Sequence, residues 1–507
     1  MKSNNERRNV RRVSTLAGTL GFAGVLFWSQ QAAAGSEFHA RTEASVGWTD
    51  NIALVADDDP TKQSAYVAQL NPGFSWKETS QRFNSALDYT LQNVFYKDDS
   101  QRHSSFQQAF GQLGATLIPN FFFFNANGSY SQVLIDAHLP ANDKNFFNVT
   151  NQTDALAIAV TPSLQHDFSQ AHFEAIYSRG RVDYKRAAGA LVAPNNADTE
   201  TRAVLLKDVD DDALLTWLAR YESQRAEYTQ GTQFRFDRAN AELGLLFGRT
   251  FRLIGRGGRE TDPAEGLNEG GLDISTWEAG FRWQPSARTV TSAFYGHRFY
   301  GSSYNVQLQH AAKFVSWMLS YEEGPLTQAQ ELIASSAAGN APVGGGYIPP
   351  VQQVPGQAPG QIIPGQGAPG QAGLQLTSQV YVRKAGIGTL RIAGSRTDID
   401  LSVFDYRRNY VLATLQEERQ DGATLAFSRQ LAARMKFNIS VSAAETALGD
   451  GAKYHDTALH TEFSREFSRN YQVAISAMQT RRTGGVAGTG GPGYTARNVN
   501  LSIRAQY

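Results

Sequence analysis

Apolar and polar residues alternate one by one along much of this chain. In the last nine residues the apolar positions are Val499, Leu501, Ile503, Ala505 and Tyr507, and a polar residue stands between each pair. Successive side chains of a β-strand point to opposite faces of a sheet. This period of two therefore predicts a final strand that has one apolar face and one polar face and ends on an aromatic residue.

The same alternation recurs in runs of about ten residues, the length of a tilted transmembrane strand. The apolar faces of these runs are centred on Leu87, Ile158, Trp217, Leu243, Phe281, Val441 and Leu459. Short connections, as at Pro119-Asn120, alternate with longer polar stretches, as at 136–152. Short turns on one rim and long loops on the other are typical of outer-membrane barrels, with the short turns in the periplasm. We therefore predict an all-β fold, a transmembrane antiparallel up-and-down β-barrel of about 22 strands (range about 18–22).

The first 34 residues have the features of a secretory signal peptide. Arg7, Arg8, Arg11 and Arg12 precede a short apolar run, and small residues lead to a predicted cleavage between Ala34 and Gly35. The barrel is then expected to cover residues 35–507. After the signal peptide no apolar run reaches the roughly 18 residues of a transmembrane helix, and a closed barrel is the other structure that pairs every backbone group in lipid.

One segment breaks the alternation. Residues 338–373 consist largely of Gly, Pro, Gln and Ala, and Pro-Gly-Gln occurs at 355–357, 359–361, 364–366 and 369–371. Such a composition predicts an extended or disordered insert. We assign residues 324–376 to an extracellular loop within the barrel, either a tolerated surface insertion or a flexible gate or adhesive arm. No helix is predicted in the mature chain.

Charge and composition exclude several classes of function. Without the signal peptide the chain has 47 − 5 = 42 basic and 47 − 1 = 46 acidic residues, a net charge of −4 that argues against a nucleic-acid partner. The chain contains no Cys, which excludes disulfides and thiolate metal sites. No cofactor is expected.

Charged residues on the polar strand faces are the candidate lumen-lining residues. They are Arg220, Glu222, Arg238, Glu242, Glu278, Arg282, His172, Glu174, His460 and Glu462. Side chains of opposite charge could form a constriction that selects solutes by charge and size, or they could pair only to stabilise the interior wall. His455 and His460 point to opposite faces of a regular strand, which makes them a poor metal pair.

Two other groups of residues have alternative interpretations. Ser129, Ser131, Asp136 and His138 could contribute to a hydrolase triad, although no Gly-x-Ser-x-Gly motif marks a nucleophile. The run from Phe121 to Phe124 cannot place all four rings in lipid, because neighbouring residues alternate faces. It is predicted to belong to the periplasmic aromatic girdle of the barrel, with a carbohydrate-binding platform as the alternative.

The stretches Ile118–Gln132 and Asn148–Ala155 resemble a known family, the outer-membrane β-barrel proteins associated with the PEP-CTERM/exosortase system of Gram-negative bacteria. The resemblance extends from about residue 36 to the carboxy terminus, and the Pro-Gly-Gln insert departs from it. The family has no established catalytic residues to transfer. The resemblance implies a location in the cell outer membrane of an exopolysaccharide-producing Gram-negative bacterium.

These observations favour a passive channel or an export component linked to exopolysaccharide. The expected partners are outer-membrane lipid and the outer-membrane insertion machinery, which would recognise the terminal Tyr507, with exopolysaccharide or periplasmic export proteins as further candidates. The alternatives are a closed scaffolding barrel that displays its loops, a hydrolase embedded in a barrel, and a soluble secreted all-β binding protein. A lumen crossed by paired charges and a loop at 324–376 folded inward would favour the scaffold.

Overall fold

The computed structural model describes residues 35–97, 103–140, 145–147, 151–185, 195–210, 212–231, 233–263, 272–338, 376–411, 416–485 and 493–507. Within these ranges the chain forms 22 strands and one helix. The strands are β1 (Ser36–Thr49), β2 (Ala65–Thr79), β3 (Phe83–Tyr96), β4 (Ser104–Ile118), β5 (Phe122–Leu134), β6 (Gln152–Asp167), β7 (Ala171–Tyr184), β8 (Ala197–Asp208), β9 (Leu215–Tyr228), β10 (Gln233–Phe247), β11 (Phe251–Glu260), β12 (Ile274–Ser286), β13 (Thr289–Arg298), β14 (Gly301–Ala311), β15 (Val315–Leu326), β16 (Tyr381–Ala393), β17 (Thr397–Tyr410), β18 (Glu418–Ala432), β19 (Met435–Ala447), β20 (Lys453–Glu466), β21 (Tyr471–Gly485) and β22 (Tyr494–Gln506). The helix is α1 (Gln328–Ala338).

Each strand pairs antiparallel with its neighbours in the sequence, and the first strand also pairs with the last. The seam between β1 and β22 runs in register from Thr49↔Asn498 to Arg41↔Gln506. At its end Ala40 N donates to Tyr507 O at 3.0 Å and Tyr507 N donates to Ala40 O at 2.8 Å. The sheet is therefore closed, which confirms the predicted antiparallel barrel of 22 strands.

The predicted alternation decides which side chains face outward. The apolar set is exposed on the outer wall, as shown by Leu87, Ile158, Leu243, Trp277, Val441 and Leu459. The polar set points inward, where Arg41 contacts Asp88 at 2.5 Å. A slip of one residue would reverse both faces of a strand, so this division of side chains fixes the register.

The two ends of the barrel differ, and we call them the turn end and the loop end. The turn end carries connections of two to six residues, such as 119–121 and 248–250, whereas the loop end carries connections such as 50–64 and 135–151. Three connections at the loop end are also short, at 229–232, 299–300 and 448–452, so the predicted alternation of lengths is incomplete. Exposed aromatic side chains surround the turn end, namely Phe121, Phe168, Phe247, Trp283, Phe314, Phe467, Tyr471 and Tyr507.

The Phe run divides between these environments. Phe122 and Phe124 lie opposite Leu164 and Pro162 on the outward face of β5 and β6, and Phe123 alternates with them and points inward. Phe121 lies in the turn and is exposed.

The helix α1 contradicts the prediction that the mature chain contains no helix. Strand β15 continues to Leu326, so the first residues of the predicted insert belong to the wall, and α1 follows directly. Thr327 caps the helix: Gln330 N donates to Thr327 Oγ1 at 3.4 Å, and Thr327 N donates to Gln330 Oε1 at 3.0 Å. Most of the insert, residues 339–375, and the predicted signal peptide with Ala34 lie outside the described residues. None of the described helical residues forms a helix long and apolar enough to cross a membrane.

Candidate functional site

The helix α1 lies inside the barrel, against the inner faces of β4 to β8. Asn127 Nδ2 on β5 donates to Ile333 O at 3.2 Å, and Gln330 Nε2 donates to Gln224 Oε1 on β9 at 3.1 Å. Gly180 on β7 makes room for the helix, because a Cβ there would lie 2.4 Å from Ile333 Cδ1. The beginning of the predicted insert is therefore folded into the lumen.

A buried cluster joins α1 to the wall, and we call Glu331, Tyr381, Arg383 and Arg408 the latch. Tyr381 OH donates to Glu331 Oε2 at 2.8 Å. Arg383 Nη1 lies 3.4 Å from Glu331 Oε1, and Arg408 Nη2 lies 3.3 Å from Glu331 Oε2. All four side chains are buried, so these contacts are shielded from water.

Two further carboxylates pair with the two arginines of the latch. Glu322 pairs with Arg383, and Glu418 Oε2 lies 3.8 Å from Arg408 Nη1. Two guanidinium groups thus meet three carboxylates, and the Arg408 guanidinium also lies 4.9 Å from the centre of the Tyr381 ring. Buried charges are tolerated when paired in this way, but the loss of one partner is costly.

Parts of two loop-end connections also fold inward and pack against the inner wall. Ile52 and Leu54 from the connection after β1 pack with Phe146 and Phe147 from the connection after β5 against the inner face of Val67 and its neighbours. Asn145 Nδ2 donates to Gln92 Oε1 on β3 at 2.9 Å. This second cluster lies against β2, β3 and β22, whereas α1 contacts β4 to β8.

His138 connects two of these loops. Its Nδ1 lies 2.7 Å from Asp136 Oδ1, and its Nε2 lies 2.8 Å from Asp450 Oδ2 in the connection between β19 and β20. Both ring nitrogens contact carboxylates, so this histidine has no free nitrogen for a serine and the Ser-His-Asp arrangement considered from the sequence is not assembled. Within the described residues no group of three or more His, Asp or Glu side chains could hold a metal ion.

The contact at His138 should respond to pH. Burial disfavours the imidazolium, but the hydrogen bonds with Asp136 and Asp450 outweigh it and raise the pKa of His138 above 6.5. The stabilisation is therefore complete below about pH 6.5 and is lost as the pH rises through the folded-state pKa. Arg482, which donates to Leu139 O at 3.0 Å and to Asp456, keeps its charge throughout.

We expect hydrogen exchange at Ala452 N, which donates to Asp450 Oδ1 at 2.9 Å, to be a few-fold faster at about pH 8.5 than at about pH 5.5 after correction for intrinsic rates. H138A should remove that difference, whereas H455A, which alters a pair exposed on the outer wall, should preserve it. An equal pH response in H138A would contradict the assignment.

The structure brings several of the predicted lumen-lining residues together on β9 to β12. Arg220 Nη2 lies 2.7 Å from Glu222 Oε2, and Arg238 Nη2 lies 3.3 Å from Glu278 Oε2. Sequence reasoning missed Arg256, which links Glu242 to the Arg238–Glu278 pair: its Nε lies 2.5 Å from Glu242 Oε2 and its Nη1 lies 3.5 Å from Glu278 Oε2. In the sequence Arg256 stands between Gly255 and Gly257, and the period of two places its side chain on the inner face of β11.

The other predicted lumen-lining residues lie elsewhere on the inner wall. His172 Nδ1 contacts Asp167 Oδ1 at 2.5 Å near the turn end, and Glu174 Oε1 accepts from Gln165 Nε2 at 3.3 Å. Arg504 Nη2 lies 3.6 Å from Glu462 Oε2, close to the seam. Arg282 is in register with Arg252 and Ser292, and His460 with Ser440 and Met478. The charged residues therefore form separate groups on the inner wall.

Exposure of the inward-facing side chains differs along the barrel axis. At the loop end Thr49, Val94 and Tyr381 are 0% exposed. Nearer the middle, the inward side chains of Asp88 and Arg256 are 26% and 28% exposed. Within the described residues, the inward-facing side chains are thus buried near the loop end, beside α1 and the inward-folded connections, and are more exposed toward the middle of the barrel.

No family model matches the chain, and no curated protein matches it. Solved structures with a similar fold include a mutant of the ferric enterobactin receptor PfeA from Pseudomonas aeruginosa, at 10% identity and a TM-score of 0.47 over 93% of this chain and 81% of that chain. The siderophore receptor PirA from Acinetobacter baumannii has 7% identity and a TM-score of 0.45 over 93% and 80% of the two chains. The copper transporter OprC has 11% identity and a TM-score of 0.35 over 93% and 80%. These values are too low to assign a ligand to this chain.

Proposed function

We propose that this protein is an outer-membrane channel for hydrophilic solutes, closed near its outer mouth by α1. The observation that carries the proposal is the construction of the closure. The wall is a complete barrel without α1, and the helix is attached to it by a latch of polar contacts around Glu331. A closure of this kind can leave the lumen without disturbing the sheet.

The outer-membrane location rests on the outer wall. Apolar side chains cover it, and a ring of aromatic residues marks the turn end, as expected at a membrane interface. In this orientation the turn end faces the periplasm and the loop end faces the exterior. Lipid and the insertion machinery are the corresponding partners, the latter through the aromatic final residue Tyr507.

The solute class is a further step of the proposal. The family resemblance supports exopolysaccharide and periplasmic export proteins as partners, which would make the channel an exit route. The inner wall supports a hydrophilic solute, since hydrogen-bonding side chains such as Arg41, Asp88 and Gln92 line it. Sugars are bound by such hydrogen-bonding groups without any net charge.

A second candidate function is a closed scaffold that displays loops to matrix polymer or to a periplasmic partner. The inward-folded helix and the paired charges favour it, because both fill the lumen. No nucleophile–base pair is formed at His138, so the embedded hydrolase has no comparable support within the described residues.

Conductance across a planar bilayer should separate the channel from the scaffold. The variant removes residues 328–375 and joins Thr327 to Leu376 through a short Gly-Ser linker, which keeps β15 and β16 intact. We expect large, stable steps from this variant and small or brief steps from the intact protein. A matched deletion of residues 340–373 retains α1 and Glu331 and should behave like the intact protein. Absence of steps from all three proteins, each shown to be folded, would contradict the channel and favour the scaffold.

A further inference from the structure

The outer wall formed by β7 to β11 carries three arginines near the loop-side edge of its apolar band. Arg179 and Arg259 are the ninth residues of β7 and β11, and Arg225 is the eleventh residue of β9. A tilted strand needs about 9–11 residues to cross the hydrocarbon core. In the proposed orientation these side chains therefore reach the headgroups of the outer leaflet.

These three arginines have no ion-pair partner among the residues that the structure describes. Arg225 lies in register between Glu200 and Arg235, but Glu200 pairs with Arg202 and Arg235 Nε pairs with Asp237 Oδ2 at 2.8 Å. Farther toward the loop end stand the acidic residues Asp183, Asp198 and Glu227; Arg181 Nε contacts Asp183 Oδ2 at 2.8 Å. The uncompensated positive charge thus lies in one layer, at the edge of the apolar band.

The opposite wall provides a contrast. At a similar distance from the turn end, Arg407 Nε lies 2.9 Å from Asp405 Oδ1, and Arg419 Nη2 lies 2.9 Å from Asp405 Oδ2. Outward arginines on β17 and β18 are thus neutralised by a neighbouring carboxylate.

A groove lies directly on the turn-end side of the arginine layer. Its volume is about 680 Å³, and its lining includes Ala219, Ala239, Ala241 and Gly257 between the larger Val204 and Tyr221, with Arg259 at its edge. A Cβ at Gly257 would meet no atom within 4 Å, so the recess is open toward the surroundings of the barrel. The groove offers an apolar chain a place in the wall next to a guanidinium group.

We propose that this wall binds a phosphorylated glycolipid of the outer leaflet, with an acyl chain in the groove and phosphates on Arg179, Arg225 and Arg259. The arginine layer extends over four strand spacings, roughly 19 Å, which is wider than one phosphate and suits a headgroup with two separated phosphates. Guanidinium groups bind phosphate through paired, charge-assisted hydrogen bonds. The inference rests on the proposed outer-membrane location of the barrel.

The test is a titration of the refolded full-length protein in detergent with bis-phosphorylated lipid A, followed by native mass spectrometry. The triple variant R179Q/R225Q/R259Q should bind at least tenfold more weakly. The matched control R407Q/R419Q/R497Q removes the same number of outward arginines elsewhere and should bind like the parent. G257L fills the groove without a clash inside the wall and should also weaken binding.

The lipid itself can be varied in the same experiment. Dephosphorylated lipid A and phosphatidylglycerol should both bind the parent as weakly as lipid A binds the triple variant. Equal binding of either lipid, or undiminished binding of lipid A by the triple variant, would overturn the proposal. Folding is checked by the heat-dependent shift in gel mobility, and insertion into lipid vesicles is measured separately. Failure to insert would contradict the channel, whereas insertion without lipid A selectivity would contradict only this inference.

Discussion

Replacing Glu331 with alanine should release α1 from the wall and open the lumen. The change removes the acceptor of Tyr381 OH and the carboxylate that lies between Arg383 and Arg408. Breaking a buried charge cluster by removing one partner costs about 3–5 kcal/mol. Glu322 and Glu418 remain and offset part of this cost, which favours displacement of the helix over unfolding of the barrel.

The absence of Cys from the chain allows a direct measurement. A single cysteine introduced as A329C, at a position 0% exposed, should react slowly with a maleimide in the parent and at least tenfold faster in E331A. The control E323A removes a neighbouring carboxylate that faces outward and contacts Lys384 at 3.7 Å, so labelling should stay slow. Equal labelling rates in E331A and the parent would show that the latch does not hold the helix. In planar bilayers E331A should also show a larger conductance than E323A or the parent.

Replacing Glu260 with alanine should give the largest loss of stability in the wall itself. Glu260 is 0% exposed, and its Oε2 accepts from Arg298 Nε at 3.1 Å and from Nη2 at 3.0 Å. Its Oε1 accepts from Phe299 N at 2.8 Å in the short connection between β13 and β14. Alanine would leave a guanidinium and a backbone donor buried without this acceptor, a cost of about 3–5 kcal/mol.

The free energy of unfolding, measured by urea titration in lipid vesicles, checks this prediction. E260Q keeps an oxygen for Phe299 N and should lose less stability than E260A. E227A, an exposed position on β9, should change stability by less than about 0.5 kcal/mol. A loss below about 1 kcal/mol in E260A would contradict the role given to this ion pair.

The sequence was sufficient for the fold because one physical rule governs nearly the whole chain. Strands that face lipid on one side and a polar lumen on the other must alternate, and Leu243 and Val441 are exposed on the wall as their place in the pattern predicts. The alternation is weak near residues 303–322 and 378–410, but these segments also form strands, β14 to β17. Their outward positions include Gly386 and Gly388, and these glycines dilute the apolar signal.

The closure could not be predicted in the same way. Its contacts join residues far apart in the sequence, since Glu331 and Arg408 are separated by 77 positions and the alternation does not say which strands meet across a lumen. The helix did leave a local signal. Thr327 and Gln330 form a capping box before Glu-Leu-Ile-Ala, but the Pro-Gly-Gln segment that follows dominates the composition of the insert.

The seam between β1 and β22 also constrains how the protein can be made. Arg504 Nε and Glu43 Oε2 meet there at 3.0 Å although they are 461 residues apart. Bringing such distant segments together costs about 5 kcal/mol in chain entropy, and no part of that cost is recovered before the last strand arrives. Until then both edges of the sheet expose unpaired backbone groups that attract other chains. The barrel therefore closes in one late step. A chain that stops before β22 is added is prone to aggregate and does not form a smaller barrel.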